Sequence, residues 1–181
     1  KLNSITLPSI SGGTVSGLMS SINWFFTDSH EDFAIFQIVV KNDSKDGTYY
    51  PQYINRITLD SNGEYALCYQ ARTETLLIND TPTETSLPEG YGVAPFLYVH
   101  RVLDFIFSEF GYTITENPFK TDKELSSLVI LNNAADCCVT GILNYADLMP
   151  DCTIEDFLNA LYVRFGLVYN VSSDTKTATL R

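Results

Sequence analysis

Six apolar residues, Val99, Val102, Leu103, Ile106, Phe107 and Phe110, fall at steps i, i+3, i+4, i+7, i+8 and i+11, one continuous stripe of an α-helix. The same spacing returns in Ile154, Phe157, Leu158, Leu161, Tyr162 and Phe165. Each stripe ends on Phe-Gly, Phe110-Gly111 and Phe165-Gly166, where a left-handed residue is wanted, and each then runs into a strand pattern. The outer faces differ, Arg101 standing opposite Asp156 and Glu109 opposite Arg164. The pattern reads as a repeated unit of helix, Phe-Gly and strand with two different surfaces. Two unrelated amphipathic helices, each stopped by glycine, remain the alternative.

The second helix has a defined start. Thr153 can cap it, and Glu155 and Asp156 lie in the first turn, where the dipole favours negative charge. After its strand, residues 167–171, a Ser-Ser-Asp turn leads into an alternating run over 175–180, which should pair back antiparallel. Between the repeats, 125–131 reads as a strand and 134–145 as a short helix or loop.

The first half is β in character. Residues 33–40 are a β-branched and aromatic run ended by turn formers over 41–47. Residues 54–59, Asp60-Ser-Asn-Gly63 and residues 64–69 read as a hairpin, because Asn-Gly supplies positive φ. Residues 72–78 are a further strand, and the Thr- and Pro-rich 79–89 a loop or boundary. Residues 14–26 suit a helix or an extended segment equally. The resulting class is α+β: a β-rich part over 1–88 with hairpins, and a part over 89–181 with two helix-Gly-strand units on small mixed sheets. Lys1 at one end and a strand-like run into Arg181 at the other read as ends cut from a longer chain.

Charge narrows the partners. With 11 Lys+Arg against 22 Asp+Glu the net charge is −11, and the two parts share it evenly, so no nucleic-acid or anionic-membrane partner is expected. No apolar run approaches the ~20 residues of a spanning helix, so no membrane span is expected.

Catalytic groupings are not apparent. Nucleophilic catalysis needs a base, and only His30 and His100 could serve; His30 reads as part of a solvated polar turn and His100 as a helix-flank residue. The four cysteines, Cys68, Cys137, Cys138 and Cys152, include no Cys-x-x-Cys pair and read as small buried thiols rather than a zinc site. Adjacent Cys137 and Cys138 should point apart in regular structure. Asp147 with Asp151 and Glu155 with Asp156 are the carboxylate pairs considered for hydrolysis, the latter already explained by helix capping. Gly90-Tyr-Gly lacks the third glycine of a dinucleotide loop, and 42–47 begins like a calcium loop but has Tyr53 at its twelfth position. Accordingly no catalytic residue, metal or cofactor is expected, and the chain is not read as an enzyme. Core packing is the default for its aromatics; Trp24, Tyr49, Tyr50 and Tyr53 are the candidates for a surface interface, centred on Tyr49-Tyr50-Pro51.

Two stretches, Val99-His-Arg-Val-Leu-Asp-Phe-Ile-Phe-Ser-Glu-Phe-Gly111 with the residues from Gly90 before it, and Leu148-Met-Pro-Asp-Cys-Thr-Ile-Glu-Asp-Phe-Leu-Asn-Ala-Leu-Tyr-Val-Arg-Phe-Gly166, resemble tail-associated proteins of bacteriophages and prophages. More distantly they are similar to tail hub and baseplate proteins. The resemblance covers residues 88–181 and rests on apolar spacing. It implies a non-catalytic structural subunit that self-associates, often as a ring, and joins the tail tube to the host-facing apparatus. Its partners would be other tail or assembly proteins, in the virion tail or in the host cytoplasm during assembly. The alternative is a surface module that binds carbohydrate or protein through Trp24 and the Tyr49–Tyr53 cluster.

Overall fold

The computed structural model describes residues 1–22, 30–40, 52–78 and 81–181. It is a mixed α+β protein, with helices set among several small sheets. Its contacts divide into two compact units assembled from interleaved segments: a hairpin unit of Ser9–Phe96 and Asn132–Leu148, and a helix–strand unit of Lys1–Pro8, Leu97–Leu131 and Met149–Arg181. The consecutive parts read from the sequence pattern, 1–88 and 89–181, each contribute segments to both units.

In the hairpin unit the open choice over 14–26 resolves to a helix, α1, at Val15–Ile22, with residues 23–29 outside the described residues. Val15, Leu18, Met19 and Ile22 form its buried stripe, and the Thr14 hydroxyl accepts the Gly17 N–H at its start. The run 33–40 is not one strand. It forms two short ones, Phe33–Ala34 and Ile38–Val39, because side chains take the backbone groups between and beside them. Asn55 Nδ2 donates to the Phe36 carbonyl, and Gln37 Oε1 accepts the Ile57 N–H. Asn55 also breaks the run 54–59: at φ +55° it separates Tyr53–Ile54, paired with Ile38–Val39, from Ile57–Leu59.

The hairpin at the Asn-Gly site is present, with Ile57–Leu59 antiparallel to Tyr65–Leu67, but its loop is longer than a two-residue reversal. Asp60 Oδ1 accepts the N–H groups of Asn62 and Glu64, and only Gly63 takes positive φ, +80°. The reading of 79–89 as a loop or boundary changes most, with 79 and 80 outside the described residues. Thr81–Leu87 is a strand paired over seven positions with Arg72–Ile78, because alternating Thr83, Thr85 and Leu87 place β-branched and apolar side chains on one pleated face. Ile142–Asn144, read as helix or loop, is a strand antiparallel to Ser9–Ser11. The unit closes over buried Leu18, Ile22, Phe33, Ile54, Phe96 and Leu143.

In the helix–strand unit α2 is Val99–Glu109, followed by Phe110, Gly111 at φ +77° and the strand Thr113–Glu116. After a four-residue turn of helix, α3 (Pro118–Thr121), capped by Asn117, the segment read as a strand over 125–131 instead opens with a 3-10 turn at Leu125–Ser127. The Asp122 carboxylate accepts the Glu124 and Leu125 N–H groups, and the Ser126 and Ser127 hydroxyls fold back onto carbonyls, which favours the turn. The last helix, α4, is Ile154–Phe165, ending at Gly166 with φ +74°. Thr153 and Asp156 form its capping box. Tyr169–Ser172 then pairs antiparallel with Thr177–Leu180, as the sequence indicated, and Thr113–Glu116 pairs parallel on the other side of Thr177–Leu180. Both helix-Gly-strand segments therefore deliver their strands to one three-stranded mixed sheet, where they run in opposite directions.

Candidate functional site

The two matching stripes do not have matching burial. In α2, Val99, Val102, Leu103, Ile106 and Phe107 are all buried. In α4 only Leu161 is buried; Ile154, Phe157 and Leu158 are half-buried, and Tyr162 is 56% exposed. The Phe-Gly termini face water too, Phe110 at 60% exposure and Phe165 at 43%. The strand after α4 continues this surface, with Val168, Tyr169 and Val171 all exposed.

Phe107, Phe110, Leu158, Tyr162, Tyr169 and Val171 are among the side chains that line an open groove of about 960 Å³ within the helix–strand unit. The end of α2 (Phe107, Phe110) forms one wall and α4 (Leu158, Tyr162) another, while Tyr169 and Val171 of the edge strand supply the floor. Phe107 meets Tyr169 edge to face at 5.6 Å and fixes the ring there. The charged residues lining the groove, Glu155 and Asp156, are both acidic. Asp156 Oδ2 accepts from the Thr153 hydroxyl at 2.7 Å and the Thr153 N–H at 3.2 Å, and these bonds hold its carboxyl below the usual carboxylate range. Beside the groove Lys176 sits over the Tyr112 ring at 5.5 Å, and Glu109 is occupied by the Thr6 N–H at 2.9 Å.

Of the interface residues expected from the sequence, only Tyr53 is among the described residues. Trp24, Tyr49 and Tyr50 lie outside the described residues, as does the calcium-like run 42–47. Tyr53 is half-buried in the strand Tyr53–Ile54 of the hairpin unit. The groove residues were legible as core and strand but not as surface. The overlooked signal is the run Phe165-Gly-Leu-Val-Tyr-Asn-Val-Ser-Ser173, which carries no charge although it contains an edge strand. Exposed edges ordinarily carry a Lys, a Pro or a bulge against unwanted pairing.

The histidines and cysteines have local roles. His30 is half-buried: its ring stacks on Phe33 at 4.0 Å, and its Nδ1 accepts the Asp32 N–H. The buried Asp32 carboxylate accepts the Tyr145 hydroxyl at 2.9 Å. His100, at the start of α2, stacks against Tyr98. Cys137 and Cys138 do not point apart, since the chain there is a run of turns and the sulfurs lie 3.7 Å from each other. The Cys137 thiol is pushed far up by its bond to Cys138 and by burial, and it donates to the Val93 carbonyl. Such a thiol is a poor nucleophile.

Comparison with protein-family models, with curated proteins and with solved structures finds no match. Among the described residues no three His, Cys, Asp or Glu side chains converge as metal ligands, and no helix is long and apolar enough to cross a membrane. What the groove offers is a contact surface. Its apolar walls and its edge strand can bury a partner's side chains and pair with a partner's backbone.

Proposed function

We propose that this chain is a non-catalytic assembly component of a phage or prophage tail, of the hub or baseplate kind, which acts by docking to other tail proteins. One observation supports the reading above others: the groove between α2, α4 and the strand Tyr169–Ser172 leaves large apolar side chains in water. Apolar surface gains roughly 25 cal/mol per Å² when it is covered, so a groove of this kind favours a protein contact over a solvated state. The groove also lies within the residues that carry the resemblance to tail proteins. Self-association in the full-length protein belongs to this reading, as does residence in the virion tail or in the host cytoplasm during assembly.

Co-expression with the proteins encoded beside its gene tests the proposal. The chain should co-purify with tail-tube or baseplate components in a complex of fixed stoichiometry, measured by light scattering. A chain that stays monomeric beside every neighbour, and instead binds on a glycan array, would replace this reading with that of a carbohydrate module.

A further inference from the structure

The strand Tyr169–Ser172 is the edge of its sheet, and its hydrogen-bonding parity can be read from its neighbour. Val168 and Arg181 exchange both backbone bonds, the Val168 N–H donating at 2.8 Å and the Arg181 N–H at 2.9 Å, and the register continues through Asn170 opposite Thr179. In an antiparallel ladder such reciprocal pairs alternate. The main-chain groups of Val168 and Asn170 therefore turn inward, and those of Tyr169 and Val171 turn outward, where no other strand pairs with them among the described residues. The side chains of the same two residues, Tyr169 and Val171, line the groove. A segment added to this edge would thus bond to Tyr169 and Val171 through its backbone and drop every second side chain toward the apolar walls.

We propose that this edge takes up an extended, alternately apolar segment of another protein that carries Lys or Arg at its flanks. The proposal deepens the docking role above by naming the occupant. Charge decides between occupants: the charged groove residues Glu155 and Asp156 are acidic and the chain as a whole carries −11, so a second copy would bring like charge to the rim whereas a cationic segment complements it.

A displayed library of random decapeptides, selected on the immobilised full chain, tests this directly. Enriched sequences should alternate apolar residues and carry Lys or Arg at their ends. Binding of one enriched peptide, followed by fluorescence anisotropy, should weaken roughly tenfold with Val171→Pro and by a similar factor with Glu155→Lys. Val171→Pro deletes an outward N–H and leaves the inward ladder intact; Glu155→Lys alters an exposed side chain whose first-turn dipole contribution is too small to unfold α4, and so guards against a folding artefact. Enrichment of acidic or unpatterned sequences, no saturable binding up to about 1 mM, or peptide affinity unchanged in both variants would overturn the proposal. Dimerisation in sedimentation that Val171→Pro abolishes would overturn it in favour of a second copy. A Val171→Pro chain that loses the peptide yet still enters tail complexes would separate this inference from the assembly role.

Discussion

Asn55 holds more of the hairpin unit together than its size suggests. Its Nδ2 donates to the Ala94 and Phe36 carbonyls, its Oδ1 accepts the Ala94 N–H, and its own N–H donates to the Gly92 carbonyl, while its backbone sits at φ +55° and the residue is fully buried. Asparagine tolerates that φ better than other residues with a side chain. Asn55→Ala should therefore cost about 3 kcal/mol or more, since it orphans buried backbone groups and adds left-handed strain. Asn55→Gly relieves the strain alone and should be roughly 1 kcal/mol less harmful. Urea midpoints at an unchanged slope measure both, and equal midpoints would refute the division into strain and hydrogen bonds. At Gly166 the situation is simpler, because a Cβ there would meet nothing within 4 Å and only φ +74° opposes it. Gly166→Val should destabilise by at least ~1 kcal/mol through conformation alone, and an unchanged melting temperature would contradict the role given to this glycine.

At the scale of elements, the matched stripes of α2 and α4 offer a paired experiment. Phe107 and Tyr162 occupy the same position of the repeated spacing, yet Phe107 is 5% exposed and Tyr162 56%. Phe107→Ala should cost about 3–5 kcal/mol, and Tyr162→Ala less than about 1 kcal/mol in the isolated chain. Comparable losses in thermal melts would mean that Tyr162 is core and that the groove is not open. The start of α4 supplies a further test. Thr153→Ala removes the acceptor for the Asp156 N–H and should cost about 1 kcal/mol. The partner carboxylate of Asp156 titrates lower in the fold than when unfolded, so its contribution is present above the ordinary carboxylate value of about 4 and is lost as pH falls through the lowered one. The melting temperature of the natural chain should drop more steeply as pH falls below about 4 than that of Asp156→Asn, and parallel curves would show that the capping box carries no charge-dependent stability. Such local features are the ones that were legible in the sequence. The stripes, the Phe-Gly stops, the Thr153 cap, the Asn-Gly hairpin and the final antiparallel pair depend on residues close together in the chain. Thr81–Leu87 was hidden because threonine serves strands and loops alike, and the groove because period 3.6 marks an apolar face without saying whether another element covers it.

The whole molecule poses a problem that no local pattern states. Ser9–Ser11 pairs with Ile142–Asn144 within the hairpin unit, and the Leu2 N–H donates to the Cys152 carbonyl within the helix–strand unit, so each unit joins residues from opposite ends of the chain. Strands of three residues leave too short an alternation to reveal such partners. The consequence is testable by cutting the chain between residues 88 and 89. A fragment of 89–181 would keep Ile142–Asn144 without its partner strand, exposing Leu143, which is fully buried in the intact protein. It would also lose Lys1–Pro8, and with them fully buried Leu2 and the Thr6 N–H that Glu109 accepts. Losing one buried leucine alone corresponds to a cost of about 2–5 kcal/mol, a large part of the 5–15 kcal/mol that stabilises a typical domain. The fragment should therefore lack a cooperative thermal transition by near-ultraviolet circular dichroism and should bind a hydrophobic dye. Mixing it with fragment 1–88 should restore the transition in part, because the two together again hold every segment of both units. A fragment 89–181 that melts cooperatively on its own, near the midpoint of the intact chain, would show that the interleaved pairings contribute little and that the C-terminal part folds as an independent domain.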